Sequence, residues 1–260
     1  MIIGIAGCGR MGRPMLENLR QAGFDTRGFD IILGRGDDQS LADFAHGLTT
    51  LITVVRDTDE TDDVLFGAQN LTNCPTLETI IISSTLSPKY VLGLRDRVPA
   101  HITLIDAPMS GAQVKAKAGT LSFMLGGDKT AINAHMPLFN TMGQDFHIMG
   151  EYGAGMASKV LNNLLAASHT AMTRTVLDWA DTAGIDEKKL LNLIHTSSGQ
   201  NWLASGFNDI EFARDGFAED NSIGILVKDV AAGLDIAPQD ADTSLPTHVQ
   251  AVLKSLTPRK

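Results

Sequence analysis

Basic residues and cysteines are both scarce in this 260-residue chain. The 21 Lys and Arg stand against 30 Asp and Glu, and the formal net charge of −9 argues against nucleic acid or an anionic membrane surface as the main partner. The two cysteines, Cys8 and Cys74, form no Cys-x-x-Cys pair and accompany no histidine cluster. We therefore expect no disulfide framework, no metal site and a reducing, cytoplasmic location.

Long apolar runs are missing as well. No run approaches the roughly eighteen residues of a membrane span, and the chain enters a strand pattern without a basic-plus-apolar leader. We expect a protein that is neither secreted nor membrane-spanning. The 43% apolar and 20% charged residues are typical of globular proteins, and the length allows one large domain or two ordinary ones.

The chain opens with a glycine motif in the setting that gives it meaning. A short apolar strand over residues 2–6 leads into Gly7-Cys8-Gly9-Arg10-Met11-Gly12, and a helix with Pro14 near its first turn follows. Gly7 permits a tight turn, Gly9 lets the backbone approach a pyrophosphate, and Gly12 lets helix and strand pack closely. A purely structural glycine turn is the alternative. The order strand, motif, helix favours dinucleotide binding, with Cys8 as a small filler.

A second strand ends in Asp30, eighteen residues after Gly12. A Rossmann unit places there the carboxylate that accepts hydrogen bonds from the adenosine ribose, and that carboxylate repels a 2′-phosphate. We predict NAD as cofactor, with NADP still open because Arg35 could reach round. An ordinary polar residue at a strand end is the other interpretation of Asp30.

Later strand ends supply further candidates at the same edge of a parallel sheet. Val55 ends the strand at 48–55 and Arg56 follows it. Arg56 either faces the cofactor or, in the favoured interpretation, pairs with Asp57 or Asp59. Thr85 follows the strand at 79–83 and is the better ligand candidate, since helix capping explains Ser87. We assign Val55, Arg56 and Thr85 to the cofactor site.

Small residues follow the next strand, in Asp106-Ala-Pro-Met-Ser110-Gly111-Ala112. Their exposed backbone N–H groups can hold a carboxylate without a charged side chain, whereas the plain alternative is a tight turn. An α/β domain is complete near residue 150.

A long helical pattern runs from Gly153 to about Gly184 and is apolar on nearly every face, so we predict a helix buried all round. Lys159 and Asn163, four residues apart, project from the same side of it. The lysine either reaches solvent from the helix end or lines a cleft and moves a proton.

The pattern after Gly184 is wholly helical, over 186–196, 202–212, 223–236 and 246–256. Lys228-Asp229 lies in the third of these helices. It is either a solvent-facing ion pair or presents a lysine to an inter-domain cleft.

These motifs together resemble the β-hydroxyacid dehydrogenase family, which includes 3-hydroxyisobutyrate dehydrogenases, tartronate semialdehyde reductases and glyoxylate/succinic semialdehyde reductases. The resemblance rests on Gly7 to Gly12, on Asp106 to Gly111 with Gly119-Thr-Leu, on Gly-x-Gly-x-x-x-Lys159-x-x-Asn-Asn163, and on Lys228-Asp229. It implies a Rossmann-type α/β domain over residues 1–152, joined by the long helix at about 153–183 to an all-helical domain over 153–260, with the active site between them.

The resemblance also implies roles. Lys159 would donate and accept the proton, Asn163 would orient substrate, and backbone around Ser110, Gly111 and Ala112 would hold the substrate carboxylate. Thr85 and Lys228 would lie at the nicotinamide end. We expect a small anionic hydroxy acid or semialdehyde as substrate and a homodimer or homotetramer.

Several departures keep a rival open. Ala112 stands where the family usually has a second glycine, Val55-Arg56 replaces a usual Leu-Pro, and Thr175 occupies a usual Glu. The segment after Asp30 and the C-terminus are short, which motivates a catalytically weak dinucleotide-binding scaffold of the same fold. An imine-reducing relative is disfavoured because the position that handles the proton is still a lysine.

Overall fold

The computed structural model describes every residue from Met1 to Lys260. By its internal contacts the chain divides into two compact units, Met1–Lys159 and Val160–Lys260. None of its helices combines the length and the apolar character that spanning a membrane requires.

The first unit alternates strands and helices. Its elements are β1 (Ile3–Ala6), α1 (Gly12–Gln21), β2 (Thr26–Phe29), α2 (Leu41–Ala45), β3 (Thr50–Thr53), α3 (Thr58–Leu65), β4 (Thr79–Ile82), α4 (Pro88–Arg97), β5 (Thr103–Asp106), β6 (Met109–Ser110), α5 (Ala112–Ala118), β7 (Leu121–Gly126), α6 (Lys129–Met142) and β8 (Gly143–Gly150).

These strands form one sheet in the order β2-β1-β3-β4-β5-β7-β6, with β8 beside β7. Strands β1 to β5 are parallel, whereas β7 runs antiparallel to β5 and β6 and parallel to β8. Apolar strands such as Thr79–Ile82 are buried along their whole length because helices cover both faces. The carboxyl ends of β1 to β4 therefore meet at one edge, and the α/β prediction is confirmed.

The short segment between β2 and α2 protects the outer strand of this sheet. The Gly28 amide donates to Asp37 Oδ2 at 2.7 Å, and the Asp37 amide donates to the Gly28 carbonyl at 3.1 Å. Arg20 also donates to the Asp37 carboxylate, and this lowers the pKa of Asp37 against the opposing effect of its burial. The segment thus satisfies backbone groups that an open edge would leave unpaired.

The long helix α7 (Ala154–Thr182) leads into the second unit, which continues with α8 (Glu187–His195), α9 (Trp202–Ser205), α10 (Ser222–Asp235) and α11 (Ser244–Ser255). One apolar cluster joins Ala167 and Ala171 of α7 to residues of α10 and α11, and another joins Leu177 to residues around α8 and α9. The helix predicted at 202–212 is wrong in its extent, since it ends at Ser205 and turns follow.

The prediction that α7 is buried all round is also wrong. Leu161, Leu165, Met172 and Trp179 are between 53% and 71% exposed. The periodicity misled because the helix is apolar on every face, whereas α10, α11 and the α8–α9 region cover only some of those faces.

The opposite side of α7 carries a buried cation. Arg174 is 1% exposed, and its guanidinium donates to the carbonyls of Ala213, Asp215 and Thr257 at 2.9, 2.7 and 2.6 Å. Burial lowers the pKa of Arg174. Because these carbonyls lie in segments without regular structure, the arginine replaces the backbone partners that helices or strands would give them.

Candidate active site

The glycine motif forms a loop between β1 and α1 in which two glycines are sterically required. Gly7 has φ of +93°, and a Cβ there would lie 2.4 Å from the Val54 carbonyl oxygen. A Cβ on Gly12 would lie 1.9 Å from the Gly7 carbonyl oxygen. A Cβ on Gly9 would meet nothing within 4 Å, so open space adjoins that backbone. The loop has the close packing and the accessible glycine that a pyrophosphate cradle needs.

Asp30 lies beside this loop. Its Oδ2 accepts from the Cys8 amide at 2.8 Å, and its Oδ1 accepts from the Ile32 amide at 2.9 Å. A cavity of about 270 Å³ adjoins it, lined also by Phe29, Ile31 and Asp38. Since a carboxylate offers about four lone-pair sites, Asp30 keeps acceptor capacity for a hydroxyl-bearing ligand.

Residues at the ends of β3 and β4 complete this edge. The Val55 amide donates to Ser84 Oγ at 2.8 Å, and Thr85 follows Ser84 directly. Arg56 pairs with Glu60 at 2.5 Å, not with Asp57 or Asp59 as predicted, because Glu60 lies one helical turn away with its carboxylate toward the guanidinium. That ion pair is exposed on the Arg56 side.

The loop at Ser110, Gly111 and Ala112 has an unusual backbone. Gly111 has φ of +138°, and Ala112 has φ of +52°, in a region that alanine rarely adopts. The stem of Lys115 occupies the space where a Gly111 side chain would lie. Ala112 therefore holds a backbone conformation that normally favours glycine, and the residue is exposed beside the loop.

The strand that leads to this loop also holds the start of α7. Asp106, at the end of β5, is fully buried, and its two carboxylate oxygens accept from the amides of Gly153 and Met156 at 2.7 and 2.5 Å. Burial raises the pKa of Asp106, while these backbone donors act in the opposite direction. A Cβ on Gly155 would lie 2.4 Å from the Met124 carbonyl oxygen. The Gly-x-Gly sequence thus brings the first turn of α7 against the sheet.

Lys159 lies in the second turn of that helix and is 6% exposed. This burial contradicts the interpretation of a lysine that reaches solvent from a helix end. Asn163, one turn further on, is 8% exposed. Lysine is rarely buried to this degree unless its ammonium is partnered, which distinguishes Lys159 from the exposed lysines of the chain.

In the second unit, Asn163 contacts a buried carboxylate of α10. Its Nδ2 donates to Asp229 Oδ2 at 2.6 Å, and Asp229 is 1% exposed. Lys228 is part-exposed, and its Nζ lies 3.4 Å from Asp229 Oδ1. The Lys228–Asp229 ion pair is therefore not the solvent-facing pair of the first interpretation, because the Asp229 carboxylate is buried.

Comparisons with known proteins extend over nearly the whole chain. Residues 2–153 match the family described as the NAD binding domain of 6-phosphogluconate dehydrogenase, and residues 153–257 match the family described as NAD-binding of NADP-dependent 3-hydroxyisobutyrate dehydrogenase. The chain belongs to the β-hydroxyacid dehydrogenase family. It is an NAD(P)-dependent β-hydroxyacid dehydrogenase, which confirms the predicted family, enzyme class and cofactor class.

Individual relatives share about 30% of their aligned residues with this dehydrogenase. An NAD-dependent L-serine dehydrogenase of Pseudomonas aeruginosa is 29% identical over 258 residues, covering 93% of this chain and 86% of the relative. A 3-hydroxyisobutyrate dehydrogenase of the same bacterium is 30% identical over 218 residues, covering 79% and 73%. The solved structure of Mycobacterium tuberculosis 3-hydroxyisobutyrate dehydrogenase with L-serine has a TM-score of 0.80 at 24% identity, covering 99% and 97%, and shows the shared fold.

Two side chains of this dehydrogenase were missed as site components by sequence reasoning. In the sequence, Asp106 only marks the start of a segment of small residues, and Asp229 is only the neighbour of Lys228. A usable signal existed for Asp106, since an acid that ends an apolar strand needs donors, and the Gly-x-Gly helix start offers them. No local signal pairs Asp229 with Asn163, 66 residues away.

Proposed function

We propose that this dehydrogenase transfers a hydride reversibly between nicotinamide C4 and the hydroxyl-bearing carbon of a small hydroxy acid, chiefly a β-hydroxy acid, which is the carbonyl carbon of the matching semialdehyde or oxo acid. Candidate compounds are 3-hydroxyisobutyrate, serine, tartronate semialdehyde, glyoxylate and succinic semialdehyde. In this proposal residues 1–152 bind the dinucleotide, and residues 153–260 contribute substrate-orienting and subunit contacts.

The cofactor residues of the proposal are those at the carboxyl ends of β1 to β4. The pyrophosphate would be held by the glycine loop, namely by Gly7, Gly9, Arg10, Met11 and Gly12. Asp30 would bind the adenosine ribose, and Val55 and Arg56 would lie at the rim of the cofactor site. Thr85 and Lys228 would lie toward the nicotinamide. When bound, a nicotinamide dinucleotide supplies or accepts the hydride. The carboxylates of Asp30 and Asp38 both line the adjoining cavity and would repel a 2′-phosphate, which favours NAD over NADP.

The substrate residues follow the same logic. The backbone N–H groups of Ser110, Gly111 and Ala112 would hold the substrate carboxylate. Lys159 would exchange a proton with the reacting hydroxyl or carbonyl oxygen of the substrate, and Asn163 would orient the substrate. The observation that carries the proposal is the burial of Lys159 on a helix whose start is hydrogen-bonded to Asp106, four residues before Ser110. A protonated lysine donates to the substrate oxygen during reduction, whereas oxidation needs the neutral amine.

Replacing Lys159 by alanine tests this proposal. We expect Lys159→Ala to lower kcat at least ~100-fold with semialdehyde substrates while NADH affinity, followed by fluorescence titration, stays unchanged. Lys188→Ala, an exposed lysine of α8, is the matched control and should keep full activity. Near-normal turnover by Lys159→Ala would remove Lys159 from the mechanism. A parent protein that binds NADH but turns over no member of the substrate panel would favour the scaffold.

We also propose that a second copy of this chain covers the exposed stripe of α7 formed by Leu161, Leu165, Met172 and Trp179. The last three recur every seven residues, and no Asp, Glu, Lys or Arg occurs from Val160 to Thr173. A helix face that is apolar from Leu161 to Trp179, with no charged residue from Val160 to Thr173, is suited to self-association. Sedimentation velocity should report a dimer or tetramer that Leu165→Glu dissociates, whereas Leu193→Glu on α8, 59% exposed and outside the stripe, should not. A monomeric parent chain would refute this.

A further inference from the structure

The contact between Asn163 and Asp229 fixes which way the asparagine amide points. An ionised carboxylate can only accept hydrogen bonds, so the amide nitrogen rather than the amide oxygen must face it. The nitrogen does lie toward Asp229, at 2.6 Å from Oδ2. On its other side, Asn163 Oδ1 accepts from Asn162 Nδ2 at 3.2 Å. The amide is therefore held at both ends, and one of its two N–H bonds has no partner within the chain.

Asp229 lies in the interior of α10 and uses one of its two carboxylate oxygens for this contact. It is almost fully buried in α10, where a carboxylate is costly to retain, and its Oδ1 accepts no hydrogen bond. Lys228 Nζ lies 3.4 Å from that oxygen, within ion-pair range but without hydrogen-bond geometry. One Asp229 oxygen is therefore committed to the Asn163 amide, and the other faces the Lys228 ammonium.

We propose that Asp229 is a positioning residue, which turns the Asn163 amide so that its second N–H donates to the oxygen of the bound hydroxy acid or semialdehyde. This inference rests on the proposed function, since it assigns Asn163 a substrate. Without the Asp229 carboxylate, the side-chain amide of Asn163 can rotate and turn its oxygen toward the substrate. Two hydrogen-bond acceptors, this amide oxygen and the substrate oxygen, would then face each other.

A double-mutant cycle separates positioning from general stabilisation. We expect Asp229→Asn, which keeps the side-chain shape, to lower kcat/KM about 10- to 100-fold, mainly through KM, with NADH affinity unchanged. In an Asn163→Ala background the same change should alter kcat/KM less than about twofold, because Asp229 acts through Asn163. Asp240→Asn, an exposed acid of the same unit, is the control and should behave like the parent chain. An equal loss in both backgrounds would overturn the proposal.

A second measurement does not depend on turnover. In the ¹H–¹⁵N spectrum the side-chain amide of Asn163 is identified by its absence from Asn163→Ala. In the parent chain this amide should exchange slowly with solvent, and in Asp229→Asn it should shift and exchange faster. An unchanged resonance overturns the proposal, even where the substrate panel gives no activity and the proposed function itself fails. Should Asp229→Asn not fold, Asp229→Glu, which keeps the charge but displaces it by one methylene, takes its place in both measurements.

Discussion

Replacing Asp106 by asparagine removes one hydrogen bond in the interior of the first unit. Both carboxylate oxygens accept from backbone amides, of Gly153 and Met156, at the start of α7. An asparagine can accept only with its oxygen, so its NH₂ group must face one of those N–H donors. The change therefore removes one charge-assisted hydrogen bond and leaves one buried amide without a partner.

The magnitude follows from these two losses. A hydrogen bond to a charged group contributes about 1.5–3 kcal/mol, and an unsatisfied buried N–H costs about 1–3 kcal/mol. The substitution also relieves the burial of a charge, which the raised pKa of Asp106 reflects. We expect a net loss of about 3 kcal/mol in the free energy of unfolding of the first unit. For a unit of this size the corresponding fall in Tm is about 6–12 °C.

Urea denaturation and calorimetry of the Asp106→Asn protein measure this loss. Asp128→Asn is the matched control, since Asp128 is an exposed N-cap of α6 that accepts from Ala131 at 2.9 Å, and asparagine caps helices equally well. Turnover should fall at least tenfold in the Asp106 variant alone, because Lys159 lies one turn beyond the loosened helix start (about 10²-fold is the usual effect of a 1 Å misplacement). Stability within about 1 kcal/mol of the parent chain would refute the assigned role of Asp106.

Other regions give further predictions. Burial, with the nearby carboxylates of Asp30 and Asp37, raises the pKa of Cys8 to about 12, so its thiol should resist alkylation at pH 8 until the chain unfolds. Because the unfolded chain ionises this thiol first, stability should fall as pH rises from 9.0 toward 12, and Cys8→Ala should lessen that slope in pH-dependent urea titrations. Ala112→Gly should raise stability by about 0.5–1 kcal/mol in urea, since relief of the left-handed strain exceeds the entropy cost of glycine; a destabilised variant would contradict the strain. Arg174→Met should lower the stability of the second unit by about 2–4 kcal/mol by calorimetry, because three carbonyls lose their donor, and an unchanged Tm would refute a stabilising role for these hydrogen bonds.

Structural features that depend on residues close together in the sequence could be predicted. The strand, the glycine loop and the helix around Gly7 to Gly12 depend on neighbours in sequence, and so does the placement of Asp30 at a strand end. The fold class followed from the same alternation. Lys159 could be singled out because a charge within an apolar helix conflicts with its surroundings, although the sequence left its exposure open.

The remaining features depend on pairings between distant segments. Periodicity cannot say which side of an all-apolar helix is covered, so the exposure of Leu165 and Trp179 was missed. The partners of Asp106 and Asp229 lie about fifty and 66 residues away, and no local pattern specifies them. Arg56 pairs with Glu60 because of the directions in which the two side chains point, and sequence spacing alone does not specify those directions.

The three carbonyls bound by Arg174 have a consequence for synthesis on the ribosome. The contact with Thr257 spans 83 positions, whereas the first unit consists of one continuous stretch ending at Lys159. The amino-terminal unit can therefore fold while translation continues. The guanidinium, by contrast, acquires its full set of acceptors only after residue 257 has left the exit tunnel. The hydrogen bonds of Arg174 are therefore completed last, at a stage when the whole amino-terminal unit has already been synthesised.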